Sequence, residues 1–368
     1  MRIFYDHQAF SLLSYGGIPR YYTELTTGIN HTPDHNAYLP LLVSNNIHLQ
    51  EVGVQVRPFF TNTKFPKKIH TIYKLNEIYN IYKICRKPFD IFHATYYDPY
   101  FLPYLQKKPF VITFLDMIHE KFGHQFKELA YDGVITEQKR KLAHRADRII
   151  AISESTKKDI VELLNVDPSK IEVIYLGSSL ALNPSNSKSE DERIAPYLLF
   201  VGNRSMYKNF SGMLKAIHPL LKQFNIELLC AGGGAFSKSE IAIFQSLGVN
   251  NIVKQVPIND KILINLYQNA FAFIFPSLYE GFGIPVLESF ACGCPCIVSN
   301  VSSLPEVAGK AALYIDPTSS ESISHGVKSL LESSELRNSL IQRGYEQLAS
   351  FSWKRTVSET LDLYQKLI

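Results

Sequence analysis

The sequence predicts an α/β protein of two domains, and three observations carry that prediction. The chain has 368 residues, which is enough for two domains of ordinary size. Short apolar runs bounded by breakers, such as residues 270–275, alternate with segments of helical periodicity. Residues 178–196 are polar and rich in Ser, Asn and Pro, a composition typical of linkers. We therefore expect domains at residues 1–177 and 197–354.

The composition is that of a globular protein, with 46% hydrophobic and 20% charged residues. A net charge of +4 does not require a nucleic-acid partner, and we expect none. The N-terminus reads as a strand without the apolar segment of a signal peptide, and no apolar run approaches the roughly 20 residues of a membrane span. These features predict a cytoplasmic protein.

Three of the five cysteines lie within residues 292–296. Their spacing does not fit a zinc site, and no second pair of cysteines or histidines follows at ligand spacing. We expect buried, reduced thiols that pack as small apolar side chains.

The first predicted strand, residues 2–5, leads to a loop that ends in Gly16 and Gly17, before a helix at residues 19–29. A strand, a glycine pair and a helix N-terminus allow a phosphate group to approach closely, although a glycine pair is also common in turns. Two short strands are predicted next, at residues 37–43 and 54–60.

Residues 64–87 form a predicted helix in which basic residues outnumber acids, with Glu77 as the only carboxylate. Apolar and aromatic side chains recur at helical spacing, at Ile72, Leu75, Tyr79 and Tyr82. A basic helix with interleaved tyrosines can rest on an anionic membrane surface. The alternative is an ordinary amphipathic helix whose basic face is solvated.

Two further strands of the first domain end in aromatic or polar residues, where ligands of open α/β sheets bind. The strand at residues 89–94 precedes an aromatic loop at residues 95–101, which suits either sugar stacking or packing against a neighbouring loop. The strand that begins at Phe110 precedes Asp116 and His119. A helix at residues 128–146 and strands at residues 148–153 and 171–175 complete the domain.

The second domain opens with a buried strand that ends at Gly202 and Asn203, and Arg204 and Lys208 follow before a helix at residues 210–221. Two fixed cations at a strand end can neutralise a diphosphate leaving group as it gains charge. Positive charge is unfavourable at a helix start, which argues that these side chains serve a ligand. No Asp-x-Asp pair is present to hold Mg²⁺, so no metal is expected.

The glycines at residues 232–234 do not continue into the Gly-x-Gly-x-x-Gly pattern of dinucleotide-binding loops, because Ser237 stands at the last position. This disfavours an NAD-dependent dehydrogenase.

After the strand at residues 270–275, Glu280 lies on a glycine loop, and Glu288 lies on a helix predicted over residues 285–292. The N–H groups at such a helix start form an anion site. Glu280 can accept hydrogen bonds from sugar hydroxyls, and Glu288 can accept two from a vicinal diol such as ribose. The alternative is that Glu288 only stabilises a first helical turn.

The pattern Pro-Ser-x-x-Glu-Gly-Phe-Gly-x-Pro-x-Leu-Glu at residues 276–288 resembles the E-x7-E motif of retaining glycosyltransferase family 4, the glycosyl transferases group 1. The resemblance covers nearly the whole chain. It implies the α/β GT-B fold, in which two Rossmann-like domains face each other across a cleft. It also implies that a last helix, at about residues 355–368, packs back on the first domain.

The resemblance also assigns roles to individual residues. Glu280 is expected to contact the transferred sugar and Glu288 to hold the nucleotide ribose. The segment Gly-x-Arg-x-x-x-Lys resembles the family's diphosphate clamp, with Arg204 and Lys208 as its cations. The further donor-binding residues that it implies are Gly17, Gly202, Asn203, Val256, Phe282, Gly283, Ile284 and Leu287.

The first domain departs from the family at Leu115, which stands where a histidine is usual. No catalytic histidine is therefore carried over to that position. Asp116 and His119 remain as contacts on the acceptor or sugar side, and with Glu280 they form the predicted catalytic set.

The resemblance implies a retaining hexosyltransferase that uses a nucleoside-diphosphate sugar, and we expect neither a metal nor a cofactor. The expected acceptor is a glycan or lipid-linked glycan in surface polysaccharide synthesis such as that of O-antigen, with GDP-mannose or a UDP-sugar as donor. The expected location is the cytoplasm, with the inner face of the cell membrane as the alternative. A sugar-nucleotide 2-epimerase and a non-catalytic subunit that binds glycan or donor are rival functions.

Overall fold

The computed structural model of the protein describes residues 1–61, 66–126, 133–178, 180, 196–204 and 206–368. Its residues form two compact units, of which the first comprises Met1–Leu176 and Trp353–Ile368 and the second comprises Gly177–Ser352. Most of the stretch predicted as a linker lies outside the described residues, as do the first two residues of the predicted basic helix.

The strands of the first unit are β1 (Arg2–Tyr5), β2 (Asn36–Tyr38), β3 (Ile91–Ala94), β4 (Phe110–Phe114), β5 (Arg148–Ala151) and β6 (Ile171–Val173). Its helices up to the second unit are α1 (Gln8–Leu12), α2 (Gly17–Asn30), α3 (Ile47–Glu51), α4 (Lys68–Arg86), α5 (Ile118–Phe122), α6 (Gly133–Arg145) and α7 (Glu154–Leu164).

The strands of the second unit are β7 (Tyr197–Val201), β8 (Glu227–Ala231), β9 (Val253–Val256), β10 (Ala272–Phe275), β11 (Cys296–Ser299) and β12 (Ala312–Ile315). Its helices are α8 (Phe210–Gln223), α9 (Lys238–Leu247), α10 (Asp260–Asn269), α11 (Ile284–Ala291), α12 (Leu304–Ala308), α13 (Ser320–Glu332) and α14 (Ser334–Leu348). The chain then returns to the first unit with α15 (Trp353–Gln365).

The sheet of the first unit has six parallel strands in the order β2-β1-β3-β4-β5-β6. Its central strands β3 and β4 are buried along their whole length, because helices cover both faces of a parallel sheet. The Phe92 ring in β3 packs between Phe4 and Phe101, at centroid distances of 5.4 and 4.5 Å. These rings belong to the core of the first unit.

The helix α15 packs against α2 and is joined to the centre of the first sheet. The hydroxyl of Tyr364 lies 2.6 Å from that of Tyr5 and also hydrogen bonds to Nδ1 of His93. Gly28 allows the two helices to approach, because a Cβ there would lie 2.5 Å from Cγ2 of Val357. The first unit is therefore completed by residues that follow the second unit in the chain.

The sheet of the second unit is also parallel, in the order β12-β11-β10-β7-β8-β9. The strand order reverses between β7 and β10, as in the Rossmann arrangement, where ligands bind beyond the carboxyl ends of the strands. Both of these strands are fully buried. The predicted α/β class with two Rossmann-like units is confirmed.

Two predicted strands are wrong. The strand expected at residues 37–43 is only Asn36–Tyr38, because Pro40 has no N–H with which to continue the ladder. Residues 54–60 contribute only an isolated bridge from Arg57 to Val43, and Phe60 has a φ of 42°, which is incompatible with an extended strand.

The first residues of the helix predicted at 128–146 lie outside the described chain, and α6 is described from Gly133. In the parts of the chain that the structure describes, no helix combines the length and hydropathy needed to cross a bilayer.

Candidate active site

The candidate site of the second unit lies where β7 and β10 run side by side. Residues 202–209 follow β7 and residues 276–283 follow β10, so both loops leave the same edge of the sheet. A backbone hydrogen bond of 2.7 Å from the N–H of Leu278 to the carbonyl of Tyr207 joins them. This edge is the position at which open α/β sheets bind ligands.

Gly202 begins the first of these loops. Its φ of 114° favours glycine, and a Cβ there would have no neighbour within 4 Å. Its N–H donates to the carbonyl of Ala231 at 2.9 Å, and the following Asn203 is exposed. The backbone is therefore fixed here but sterically open to a ligand.

Arg204 is almost fully buried, with 4% of its side chain exposed. Its Nε lies 2.5 Å from Oε1 of Glu240, and its terminal nitrogens donate to the carbonyls of residues 232–235 over 3.0–3.4 Å. The ring of Phe236 lies 4.8 Å from the guanidinium carbon. The glycine loop after β8 is therefore a binding site for the Arg204 side chain, which the sequence alone did not reveal.

Lys208 ends a short 3₁₀ turn, Met206–Lys208, just before α8. Its Nζ lies 2.6 Å from Oε1 of Glu280, and only 13% and 12% of the two side chains are exposed. The ammonium group also lies 5.0 Å from the centre of the Phe275 ring. A cation predicted from one loop and a carboxylate predicted from the other are thus in direct contact.

The loop that carries Glu280 is held by two serines that follow β11. The N–H of Glu280 donates to the hydroxyl of Ser302 at 3.0 Å. The hydroxyl of Ser303 lies 2.9 Å from the carbonyl of Glu280 and 2.8 Å from that of Phe282. Phe282 is buried against Phe351, with ring centroids 5.9 Å apart. These serines fix the loop, and the motif at residues 276–288 gave no indication of them.

Gly283 is the N-cap of α11 and has a φ of 113°. A Cβ at this position would lie 2.9 Å from Cδ2 of Leu304, so glycine is required both by conformation and by space. Ile284 is the first residue of the helix, and Leu287 is fully buried beneath it. The helix therefore begins directly after this glycine.

Glu288 is buried, with 7% exposure, and its Oε2 accepts a hydrogen bond of 3.1 Å from the hydroxyl of Tyr267. Burial and the nearby Glu288 carboxylate raise the pKa of Tyr267 well above its ordinary value, so the phenol stays a donor. Glu288 is the fifth residue of α11, and no acid occupies the first turn. The alternative in which Glu288 stabilises a first turn is therefore wrong.

Val256 ends β9, and its carbonyl accepts a hydrogen bond of 3.2 Å from the N–H of Gly232. This predicted donor-binding residue is thus joined to the same glycine loop that binds Arg204. Its contact with the donor remains a prediction.

The remaining predicted residues lie on the first unit. Gly17 is the first residue of α2, and its neighbour Gly16 is the N-cap with a φ of 126°. Asp116 accepts a hydrogen bond of 3.1 Å from the N–H of Ile118 at the start of α5. His119 is the second residue of that helix.

A fully buried lysine supports this segment of the first unit. Nζ of Lys139 lies 3.0 Å from Oε2 of Glu120, 3.0 Å from the carbonyl of Asp116 and 3.8 Å from Oδ1 of Asp116. A second ion pair of 2.6 Å joins Lys121 to the buried Asp159. The sequence places Lys139 in a basic run of a helix, a context that normally predicts exposure.

The reversal of strand order in the first unit lies between β1 and β3, and buried polar groups follow both strands. Asp6 accepts hydrogen bonds from the N–H of Thr95 at 2.9 Å and from the side chain of Gln8 at 2.6 Å. Burial raises the pKa of Asp6 to about 6, although these hydrogen bonds oppose the shift. Asp6 was not among the residues predicted from the sequence, because no motif marks it.

Among the described residues, no group of three or more His, Cys, Asp or Glu side chains is arranged to hold a metal ion. The cysteines at 292, 294 and 296 are buried, and burial raises the pKa of Cys296 to about 12. These thiols therefore pack as neutral side chains.

Two family profiles match the chain. The profile described as Glycosyltransferase Family 4 matches residues 15–182, and the one described as Glycosyl transferases group 1 matches residues 182–347. The two profiles together account for most of both units.

Curated relatives are similar over part of the chain. O-antigen chain mannosyltransferase B of Escherichia coli is 30% identical over 235 residues, which cover 60% of this chain and 61% of that protein. O-antigen chain mannosyltransferase RfbU of Salmonella typhimurium is 30% identical over 188 residues, which cover 50% and 51%. The matched regions thus span less than two thirds of these relatives.

Among solved structures, sucrose-phosphate synthase from Thermosynechococcus elongatus has a TM-score of 0.80 with this protein at 17% identity. The match covers 100% of this chain and 98% of that one. At this identity the likeness establishes the fold.

Proposed function

Because this chain belongs to glycosyltransferase family 4, the glycosyl transferases group 1, and has the GT-B fold, we propose that it transfers a hexosyl group from a nucleoside-diphosphate sugar to an acceptor hydroxyl. The observation that carries the proposal is the contact between Lys208 and Glu280. It places a cation and a carboxylate together at the edge of the sheet where ligands bind.

The proposed reaction breaks the bond between the anomeric carbon and the diphosphate oxygen. The departing diphosphate takes the bonding electrons and gains negative charge, while the acceptor oxygen bonds to the anomeric carbon and loses its proton. Lys208 and Arg204 are the proposed partners of that growing charge, because fixed cations in a poorly solvated site stabilise it strongly. Glu280 is proposed to bind the hydroxyls of the sugar, and Asp116 and His119 to act on the acceptor side.

Glu288 is the proposed ligand of the nucleotide ribose. Tyr267 donates to Oε2 of Glu288, so the carboxylate is held in place in the site. Retention of configuration at the anomeric carbon and independence of metal ions are proposed on the resemblance of the E-x7-E motif. No cofactor is required by this chemistry.

Mannose is the proposed sugar, with GDP-mannose as the donor and surface polysaccharide such as O-antigen as the product. The two O-antigen chain mannosyltransferases at 30% identity support mannose as the sugar. The proposed acceptor is a glycan or lipid-linked glycan.

Contact with the inner face of an anionic membrane is proposed through α4. Ile78, Tyr82 and Leu75 are exposed by 67%, 55% and 36%, and their spacing puts them on one face of the helix, whereas the exposed Ile69 lies on another face. Lys74 and Arg86 are exposed on the same helix. A helix with only a solvated basic face does not account for this apolar stripe.

The function is tested by incubating the purified protein with GDP, UDP, GDP-mannose and UDP-glucose in EDTA and measuring the unfolding midpoint. A ligand that binds the folded state raises the midpoint by mass action. The stabilising sugar nucleotide is then supplied with a lipid-linked oligosaccharide acceptor, and the anomeric configuration of the product is read by NMR. Stabilisation by GDP-mannose and an α-mannosyl product support the proposal.

The other outcomes separate the rival functions. Conversion of the donor to its 2-epimer without an acceptor product indicates an epimerase. Stabilisation without turnover indicates a binding subunit, and stabilisation by none of the nucleotides contradicts the donor site itself.

A further inference from the structure

Glu240 makes two separate sets of hydrogen bonds at the start of α9. Its Oε2 accepts from the N–H of Ser237 at 2.6 Å and from the Ser237 hydroxyl at 2.7 Å, which forms a capping box. Its Oε1 lies 2.5 Å from Nε of Arg204. One carboxylate therefore joins a rigid helix end to the Arg204 guanidinium.

The charge of Glu240 is maintained by these contacts. Burial by itself would raise the pKa of Glu240, but the hydrogen bonds from Ser237 and Arg204 outweigh burial and lower it. The pair with Arg204 is therefore an ion pair at neutral pH. Only 4% and 15% of the two side chains are exposed, so solvent screens the attraction weakly.

The other edge of the guanidinium is held by weaker bonds. Nη1 and Nη2 donate to neutral backbone carbonyls of residues 232–235, at 3.2 Å for Gly232 and at 3.0–3.4 Å for the others. The bond at Nε is the shortest of the set and joins opposite charges, whereas the carbonyl acceptors carry no net charge, so the bond at Nε is the strongest. The Nε edge of Arg204 is thus the firmly held edge, and the Nη edge is the exchangeable one.

We propose that Glu240 is a positioning residue for the donor diphosphate. It holds Nε of Arg204 while the Nη edge exchanges the loop carbonyls for diphosphate oxygens, which are better acceptors because they carry charge. The three glycines of the loop have φ values of 81°, 68° and 70°. Because glycine adopts many backbone conformations, this loop can rearrange when the Arg204 side chain moves away. The inference rests on the proposed function, since the ligand is the diphosphate of the donor.

Two variants separate the helix cap from the guanidinium contact. Glu240→Gln retains the capping box, because Gln also serves at that position, but removes the charge that holds Arg204. Ser237→Ala removes the cap and leaves the carboxylate of Glu240 beside Arg204, so it is the matched control for damage to α9. Arg204→Ala, alone and combined with Glu240→Gln, shows whether the effect passes through the arginine.

The dissociation constants of GDP and UDP are measured by calorimetry for the wild type and these four variants. We expect Glu240→Gln to weaken the binding of whichever nucleotide the wild type binds by about tenfold. Ser237→Ala is expected to lower the unfolding midpoint and to change the dissociation constant less than about twofold. In the Arg204→Ala background, Glu240→Gln is expected to have no further effect on binding.

Equal or tighter nucleotide binding in Glu240→Gln overturns the proposal, because Glu240 would then be neutral or a competitor of the diphosphate for Arg204. Weaker binding that persists in the Arg204→Ala background also overturns it. If the wild type binds neither nucleotide, the proposed function fails and not this inference alone.

Discussion

Nζ of Lys208 lies 2.6 Å from Oε1 of Glu280, and this contact joins the loop after β7 to the loop after β10. The exposed fractions of both side chains are low, so the attraction between them is stronger than that of a surface ion pair. A diphosphate beside Lys208 adds a second anion to the same cation. In the proposed function, the lysine would therefore contact the diphosphate that leaves and, through Glu280, the sugar that is transferred.

Lys208→Met removes this cation while nearly preserving the length of the side chain. We expect kcat at saturating donor to fall about a hundredfold, as when one electrostatic contact to a developing charge is removed. Lys254→Met is the matched control, because Lys254 pairs with Glu227 on the surface of the same unit. A fall in kcat of similar size in the control would contradict a specific role for Lys208.

The energetic coupling between Lys208 and Glu280 is a separate prediction. Lys208→Met and Glu280→Gln are expected to be non-additive, with an interaction energy of about 0.5–3 kcal/mol in the double variant, because residues in contact share their effects. The cycle is measured on kcat/KM for the donor. Strictly additive effects would show that the two side chains act independently in the reaction.

Tyr267→Phe removes the hydroxyl that donates to Glu288. We expect the donor KM to rise a few-fold with little change in kcat, because Glu288 is proposed to bind the ribose and not the reacting atoms. Tyr314→Phe is the control, since its hydroxyl bonds only to backbone carbonyls of Gly309 and Pro305 in the described structure. An unchanged donor KM in Tyr267→Phe would show that the Tyr267 hydroxyl does not contribute to donor binding.

Gly283→Ala introduces a Cβ where φ is 113° and Cδ2 of Leu304 lies 2.9 Å away. We expect a loss of about 1–3 kcal/mol in the free energy of unfolding, because both strain and overlap oppose the methyl group. The comparison is Gly133→Ala, where a Cβ meets no described residue within 4 Å. Denaturant titration measures both, and equal stability of the two variants would argue against a constrained loop.

The motif residues of the second unit could be placed from the sequence because their signals are local. A buried strand, a glycine with positive φ and a helix start together put Glu280 and Glu288 in order along the chain, and the structure has the helix at Ile284–Ala291. The contact of Glu280 with Lys208 has no such local signal. It joins positions 72 residues apart, and only the order of the strands brings them together.

Other parts were not predictable because their cause is not local. Lys139 belongs to a basic run that reads as a solvated surface, yet its ammonium is buried against Glu120, 19 positions away. The role of Glu240 depends on Arg204, which is 36 positions away. The strand expected at residues 37–43 is wrong for a local reason, because Pro40 cannot donate to the sheet ladder and the strand ends at Tyr38.

The stability of the first unit is expected to fall in mild acid because of His93. Burial lowers the pKa of His93 to about 3, whereas an unfolded histidine titrates near 6.5. Between these values the unfolded chain binds a proton that the folded chain does not, so stability decreases as pH falls, by up to about 1.4 kcal/mol per pH unit. His7, whose pKa is also lowered to about 3, acts in the same direction.

Asp6 has the opposite effect on the pH dependence of stability. Its pKa is raised to about 6, so between about 3.8 and 6 the folded state holds a proton that the unfolded state lacks, and this group adds stability as pH falls. Unfolding free energies between about pH 7 and pH 5 should therefore depend less on pH in His93→Gln and more steeply in Asp6→Asn. Identical slopes in the wild type and both variants would show that these groups do not titrate as described.

Ile78→Glu tests the proposed membrane contact of α4. The substitution puts an acid into the exposed apolar stripe, so we expect weaker sedimentation with vesicles of phosphatidylglycerol and unchanged donor binding. Ile241→Glu is the control, because Ile241 is exposed on a helix of the second unit. Failure of the wild type to sediment with these vesicles would exclude the contact.

The return of α15 to the first unit affects the order in which the protein can fold during synthesis. Gly177–Ser352 is one continuous stretch, whereas the first unit needs Trp353–Ile368 as well as Met1–Leu176. Nascent chains usually fold from the N-terminal domain onward. Here the ribosome finishes the second unit before it makes Tyr364, whose hydroxyl completes the buried bonds to Tyr5 and His93. The unit that the ribosome begins first can therefore reach its final structure only after the second unit has been made.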